Sequence, residues 1–309
     1  MNVREAADRL KRGEIVAFPT ETVYGLGADA WNPTAISHLF TLKGRPADNP
    51  LIVHLSDPGQ VADFAVDIPP EGKRLIDSCW PGPLTLVLKK RKGVLDLITA
   101  GLSTVGLRIP SHPLAKELID LTGPLVAPSA NRSGRPSPTM AEHVRFDFGY
   151  DFPVLDGGEC DIGLESTVLD LSQEPYRILR PGYFTATELS KKAGCKIYSG
   201  MRDDEPVRSP GMKYTHYKPE ARVVWLDSSS AFPPEETLFI THTDSFTSFP
   251  HTIHFSGRFE QMASRLYDLF RTADHRGLKT VAIEPLPDEL SHPIIAALKN
   301  RIDKAIGKF

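Results

Sequence analysis

Short apolar runs alternate with helically spaced apolar positions through the first two hundred residues. "MNVREAADRLKRGE" carries its apolar positions on one helical face and stops at Gly13. "EIVAFPT" (14–20) then predicts a strand. "PTAISHLFTLKG" (33–44) predicts a helix, because proline suits the first helical turn and glycine the stop. "PLIVHL" (50–55), "LTLVLKK" (84–90), "VGLRIP" (105–110) and "PLVAPSA" (124–130) predict strands, with "HPLAKELIDLTG" (112–123) a helix between the last two. "STVLDL" (166–171) and "YRILRPG" (176–182) predict a hairpin, followed by a helix near 185–193.

The pattern restarts past Pro219. "ARVVWLD", "ETLFITH" and "KTVAIEPLP" read as buried strands of the parallel type. "RFEQMASRLYDLFRTADHRG" (258–277) and "HPIIAALKNRIDKAIGKF" (292–309) read as amphipathic helices. The expectation is an α/β (α+β) protein: a mixed-sheet domain over 1–200, a linker or lid over 201–220, and a small Rossmann-like α/β domain over 221–309.

Composition narrows the function classes. The chain has 309 residues and a formal net charge of −3, and its first 200 residues hold 22 basic and 24 acidic side chains. Neither half is a basic domain, so no broad electrostatic footprint for nucleic acid is visible. Cys79, Cys160 and Cys195 are far apart and form no C-x-x-C, which argues against a disulfide framework or structural zinc. No apolar run approaches the ~20 residues of a membrane helix, and the N-terminus has no apolar signal core. A cytoplasmic location is expected.

Several common catalytic motifs are missing: there is no G-x-x-x-x-G-K-[ST], no H-E-x-x-H and no G-x-S-x-G. "GLGADA" (25–30) offers only part of a dinucleotide fingerprint. What stands out is a set of loops at strand ends that carry anion-binding groups. "PTETVYGLG" (19–27) brings Thr20 and Thr22, though the same residues suit an ordinary ST turn. "KGRPADNPLIVH" (43–54) brings Lys43 and Arg45, a pair suited to polyphosphate or simply to a helix C-terminus, and His54. "STVGLRIP" (103–110) places Arg108 among apolar residues, where it either faces solvent or clamps an anion. "APSANRSGRPSPT" (127–139) is the richest, with Ser129, Asn131, Ser133, Ser137 and Thr139 beside two arginines. "GLESTVLDL" and "ILRPG" add Ser166 and Arg180. Together the five loops argue for one nucleotide-sized anionic ligand. "SPGMKYTHYKP" (209–219) is too rich in aromatic and cationic residues for a plain tether, and reads as a lid or as a linker packed between domains.

"KGRPADNPLIVH", "WPGPLTLVL", "SANRSGRPSPT", "ESTVLDL" and "ILRPG", in this order, resemble the YrdC-type threonylcarbamoyl-AMP synthases, over about residues 5–195. The "SPGMKYTHYKP" segment and the trailing domain resemble the longer, two-domain form. The resemblance implies a twisted mixed sheet around a positively lined concave cleft. It implies synthesis of threonylcarbamoyl-AMP and pyrophosphate from L-threonine, bicarbonate (or carbon dioxide) and ATP, a nucleotidyltransferase reaction with no covalent protein nucleophile. By position, Thr22, His54, Arg108, Ala127 and Ser166 would hold threonine, with Arg108 on its carboxylate. Arg45, Asn49, Thr104, Ser129, Ser137, Arg180 and Tyr217 would hold ATP, and Lys43 would face its phosphates. Magnesium would be bound through the ATP phosphates, with no protein metal site. A separate complex would transfer the threonylcarbamoyl group to adenosine 37 of tRNAs reading ANN codons, with at most a weak tRNA contact and no membrane partner for this chain. Two rivals predict other behaviour: an RNA-binding module without turnover, and a carbamoyltransferase component using carbamoyl-adenylate.

Overall fold

The computed structural model describes residues 1–200, 217–226, 232–246, 249–289 and 292–307. Ser209–His216 of the aromatic-rich segment lie outside the described residues; Tyr217, Lys218 and Pro219 lie within them.

Local signals start and stop the first helices. Helix α1 (Val3–Lys11) is capped by the Asn2 side chain, which accepts from the Glu5 amide. Helix α2 (Pro33–Lys43) is capped by Asn32 and ends at Gly44, whose φ of 65° is the left-handed stop conformation. The other helices of the first two hundred residues are α3 (Val61–Phe64), α4 (Pro70–Cys79), α5 (Asp96–Thr99), α6 (Pro113–Thr122), α7 (Ala141–Phe148) and α8 (Ala186–Ala193). Helices α3, α4, α5 and α7 lie outside the sequence expectation; none of the four has a side-chain N-cap.

The strands there are β1 (Val16–Phe18), β2 (Gly25–Asp29), β3 (Ile52–His54), β4 (Ala65–Val66), β5 (Leu84–Lys90), β6 (Thr104–Arg108), β7 (Leu125–Val126), β8 (Thr167–Asp170), β9 (Arg177–Arg180) and β10 (Tyr198–Ser199). They form one mixed sheet in the order β1-β2-β7-β3-β6-β5-β8-β9-β10, with β4 on β5. Strands β3 and β6 run parallel, as do β5 and β8; β8 and β9 form the antiparallel pair expected of a hairpin. The "GLGADA" stretch is strand β2. Its small residues favour a strand weakly, but β1 and β7 bond it on both sides, and that pairing overrides propensity. Strand β7 is shorter than the 124–130 run predicts, because Pro124 and Pro128 flank it and lack the amide a ladder needs.

The second sheet is all parallel, as the three apolar runs predict for β11 (Arg222–Trp225), β12 (Thr237–Thr241) and β14 (Thr280–Ile283); a fourth strand outside that expectation, the half-buried β13 (Thr252–His254), pairs with β12, and the order is β11-β14-β12-β13. Helices α9 (Phe259–His275) and α10 (Ile295–Ile306) bury their apolar stripes in its core. That core also takes in Val23, Leu164 and Tyr217, so the C-terminal unit packs directly on loops of the first sheet. The approach is closest at Gly163, with φ of 72°: a Cβ there would lie 2.4 Å from the Cα of Ser264 on α9. Only glycine satisfies both the conformation and the contact.

Candidate active site

A cavity of about 70 Å³ opens where loops leave the first sheet. Parallel pairing sets its floor: His54 ends β3, Arg108 ends β6, and the register puts them opposite one another. The turn between β1 and β2 supplies Thr20 and Thr22, and the segment after β7 supplies Ala127 and Ser129. Ser166, just before β8, and Arg180, the last residue of β9, come from the hairpin. Gly182 lets that hairpin close, since a Cβ there would lie 2.3 Å from the Thr167 amide nitrogen.

All five residues assigned to threonine line this cavity: Thr22, His54, Arg108, Ala127 and Ser166. Of those assigned to ATP, Arg45, Ser129, Arg180 and Tyr217 line it. The other four are placed differently. The Lys43 ammonium, expected on phosphates, is buried on the carbonyls of Ser129 and Asn131 (both 2.6 Å) and on Oδ1 of Asn131 (3.2 Å). The reason is that α2 ends beneath the 129–131 loop, whose inward carbonyls need donors. Ser137 donates to Glu165 (2.6 Å), behind the cavity wall. Thr104 starts β6 and lines a neighbouring small void with Thr85 and Thr99. Asn49 is buried; its carbonyl accepts from Nε of Arg45 (3.1 Å), and its Oδ1 has no hydrogen-bond partner.

Three guanidinium groups converge. Arg108 donates to Thr22 Oγ1 (2.9 Å) and to the Gly82 carbonyl (3.2 Å). Arg45 donates to the carbonyls of Asn49 and Pro50. Arg180 donates to the carbonyl (3.1 Å) and hydroxyl (3.1 Å) of Ser166, and hydrogen-bonds Tyr217. Burial, and then the charge of Arg180, pull Arg45 down to about 9. A buried pair of like charges is an unfavourable arrangement that an anion would relieve. Burial and Arg108 lower the His54 pKa to about 3, so the ring is neutral near pH 7. Its Nδ1 lies 3.3 Å from the Ile52 carbonyl, which can only accept; the proton therefore sits on Nδ1, and Nε2 is an acceptor. The nearby Cys160 is no thiolate, since burial pushes it up to about 12. The site thus sets cationic side chains beside neutral donors and acceptors, a chemistry suited to anions.

Two acids escaped the sequence reading. Glu165 lines the cavity beside Ser166, and Glu21 sits on Arg108. The quoted loops contain both, but their basic partners, 136 and 87 positions away for Arg301 and Arg108 respectively, give no local signal.

Residues 8–182 match the Sua5/YciO/YrdC family model, described as telomere recombination. Residues 184–307 match the model described as threonylcarbamoyl-AMP synthase, C-terminal domain. The chain belongs to the threonylcarbamoyl-AMP synthase family. It is 39% identical to the threonylcarbamoyl-AMP synthase of Pyrococcus abyssi, over 99% of this chain and 94% of that one. It is 39% identical to the enzyme of that name from Bacillus subtilis, over 99% and 93%. The P. abyssi Sua5 crystal structure complexed with L-threonine superposes with a TM-score of 0.89 at 38% identity, covering 99% of this chain and 94% of that chain. Both domains of the family are thus present, and the fold is the family's. No described helix is long and apolar enough to cross a membrane.

Proposed function

We propose that this cavity joins L-threonine, bicarbonate or carbon dioxide, and ATP into L-threonylcarbamoyl-AMP, releasing pyrophosphate. The observation that carries the reading is the convergence of Arg45, Arg108 and Arg180 on one buried cavity rimmed by hydroxyls. The reaction brings several anions together, and its main demand is to hold them against their repulsion.

Arg108 would take the threonine carboxylate. Thr22, Ser166 and the backbone at Ala127 would fix the rest of the amino acid, and the Nε2 acceptor of His54 would face a donor on it. The threonine amine, having given up a proton, adds to bicarbonate and expels water, which leaves a carbamate. A carbamate oxygen then forms a bond to the α-phosphorus of ATP as the bond to pyrophosphate breaks. Arg45, Arg180, Ser129 and Tyr217 would hold the nucleotide, with the unpaired Oδ1 of Asn49 suited to a donor such as an adenine amine. Thr104 and Ser137 would act from behind the wall, and Lys43 by shaping the loop that carries Ser129. Magnesium would neutralise phosphate charge. Phosphate oxygens and water would hold it, because the carboxylates near the cavity, Glu21 and Glu165, are already on Arg108 and Arg301.

The class is nucleotidyltransferase. The adenylate would pass to a separate complex that modifies adenosine 37 of tRNAs reading ANN codons, in the cytoplasm, with at most a weak tRNA contact here. Tyr217 would close the nucleotide end of the cavity. The test is pyrophosphate release with ATP, magnesium and bicarbonate, with and without L-threonine, and with L-serine as control. Release requiring threonine and bicarbonate together supports the reading. ATP binding without turnover sinks it.

A further inference from the structure

The wall of the cavity formed by Glu165, Ser166 and Arg180 is held from outside the first domain. Arg301 of α10 is completely buried. Its Nε donates to Oε2 of Glu165 at 2.7 Å, its Nη2 to the Glu165 carbonyl at 3.2 Å, and its Nη1 to the Pro181 carbonyl at 2.9 Å. One guanidinium therefore ties the residue before Ser166 to the residue after Arg180. Tyr267 of α9 adds its hydroxyl to the same carboxylate at 3.0 Å, and Ser137 donates to the other oxygen at 2.6 Å. The ring of Tyr267 stacks on Tyr217 at 5.3 Å, and Arg301 lies over that Tyr217 ring at 5.5 Å.

We infer that Arg301 and Tyr267 are positioning residues of the reaction: through Glu165, Pro181 and Tyr217 the C-terminal domain sets the places of Ser166 and Arg180. The inference rests on the synthase reading and gives the second domain a part in the active site. Neither residue lines the cavity, so each acts through others. The supporting geometry is rigid. Arg301 uses its planar fork on three acceptors of the cavity wall and on Oδ1 of Asn300, which the point charge of a lysine cannot reproduce. Gly163 lies so near Ser264 that a Cβ there would be 2.4 Å from its Cα, so α9 abuts the loop that leads into Glu165. Burial would raise the Glu165 pKa, yet the guanidiniums of Arg301 and Arg180 and the Ser137 hydroxyl hold it down at about 2. The carboxylate is therefore ionised at neutral pH, as its ion pair with Arg301 requires.

Arg301→Lys, Tyr267→Phe and Asp268→Ala should be compared with the full-length wild type. Tyr267→Phe keeps the ring on Tyr217 and removes only the hydroxyl. Asp268→Ala removes a different contact between the domains, the 3.3 Å approach to His143, away from Glu165. The readouts are KM for threonine and for ATP, kcat and the melting temperature. Arg301→Lys and Tyr267→Phe are expected to raise one or both KM values, about tenfold for loss of a hydrogen bond to a charged group. Asp268→Ala is expected to lower the melting temperature with wild-type KM values. If Arg301→Lys does not fold, Tyr267→Phe decides alone. Wild-type KM values in Tyr267→Phe, with or without a lower melting temperature, overturn the inference and leave the synthase reading standing. A wild type that releases no pyrophosphate in response to threonine overturns both.

Discussion

The carboxylate of Glu21 lies 2.7 Å from Nη2 of Arg108, and the two side chains are 6% and 5% exposed. They touch without hydrogen-bond alignment: both Glu21 oxygens and that nitrogen lack a hydrogen-bond partner. Charge, rather than a directed bond, thus balances the arginine assigned to the threonine carboxylate. Glu21→Ala would leave Arg108 with Thr22, the Gly82 carbonyl and no counter-charge. Breaking a buried pair from one side costs about 3–5 kcal/mol. The urea midpoint of Glu21→Ala should fall accordingly. L-Threonine, which supplies a carboxylate, should raise that midpoint more than it raises the wild type's. An equal rise in both would separate Arg108 from threonine binding.

Lys43 shapes the loop that bears Ser129. Burial pulls the Lys43 pKa well below its ordinary value, but three acceptors surround Nζ and call for the three N–H donors of the ammonium; hydrogen bonds to a charged group are worth about 1.5–3 kcal/mol. Lys43→Met should therefore destabilise the protein and raise the KM for ATP by displacing Ser129. Lys43→Arg should not match the wild-type values, since the buried ammonium converges three donors on Ser129 and Asn131 and a planar guanidinium spreads its donors differently. Normal ATP kinetics in a folded Lys43→Met would remove the loop role.

His54 has a folded pKa of about 3 against an ordinary 6.5. The unfolded chain takes the proton more readily, so stability is full above pH 6.5 and falls as the pH drops from there toward 3. His54→Gln should flatten this dependence by one proton's worth of slope. Urea midpoints at pH 7.5, 6 and 4.5, wild type against variant, measure the difference. Parallel curves would mean that His54 titrates normally.

Gly163 takes a left-handed backbone against α9. Gly163→Ala adds a methyl at 2.4 Å from Ser264, and overpacking of this kind costs about 1–3 kcal/mol before backbone strain is counted. The variant should melt earlier than the wild type. An unchanged melting curve would show that the close approach of Gly163 to Ser264 tolerates a methyl group.

Local chemistry made much of the fold legible. The helix from Pro33 stops at Gly44 because proline, the Asn32 cap and the left-handed glycine all act within a few residues. Strand β5 covers the predicted 84–90 run, since five successive buried residues leave few other structures open. The parallel second sheet followed from continuous apolar runs. Strand β2 was hidden, because its glycines and alanines become a strand only when β1 and β7 supply bonds on both edges.

For the site, the sequence by itself determined which groups are present: the hydroxyls, the arginines and the absence of a familiar nucleophile motif in loops at strand ends. Tertiary structure alone decided where they point. It turned the Lys43 ammonium onto backbone carbonyls, set Ser137 behind the wall on Glu165, and put Glu21 against Arg108. It also brought Arg301 onto Glu165 from 136 positions away. Short-range signals such as caps and strand runs act through neighbouring residues, whereas pairing between buried charges depends on which distant segments the packed core brings together.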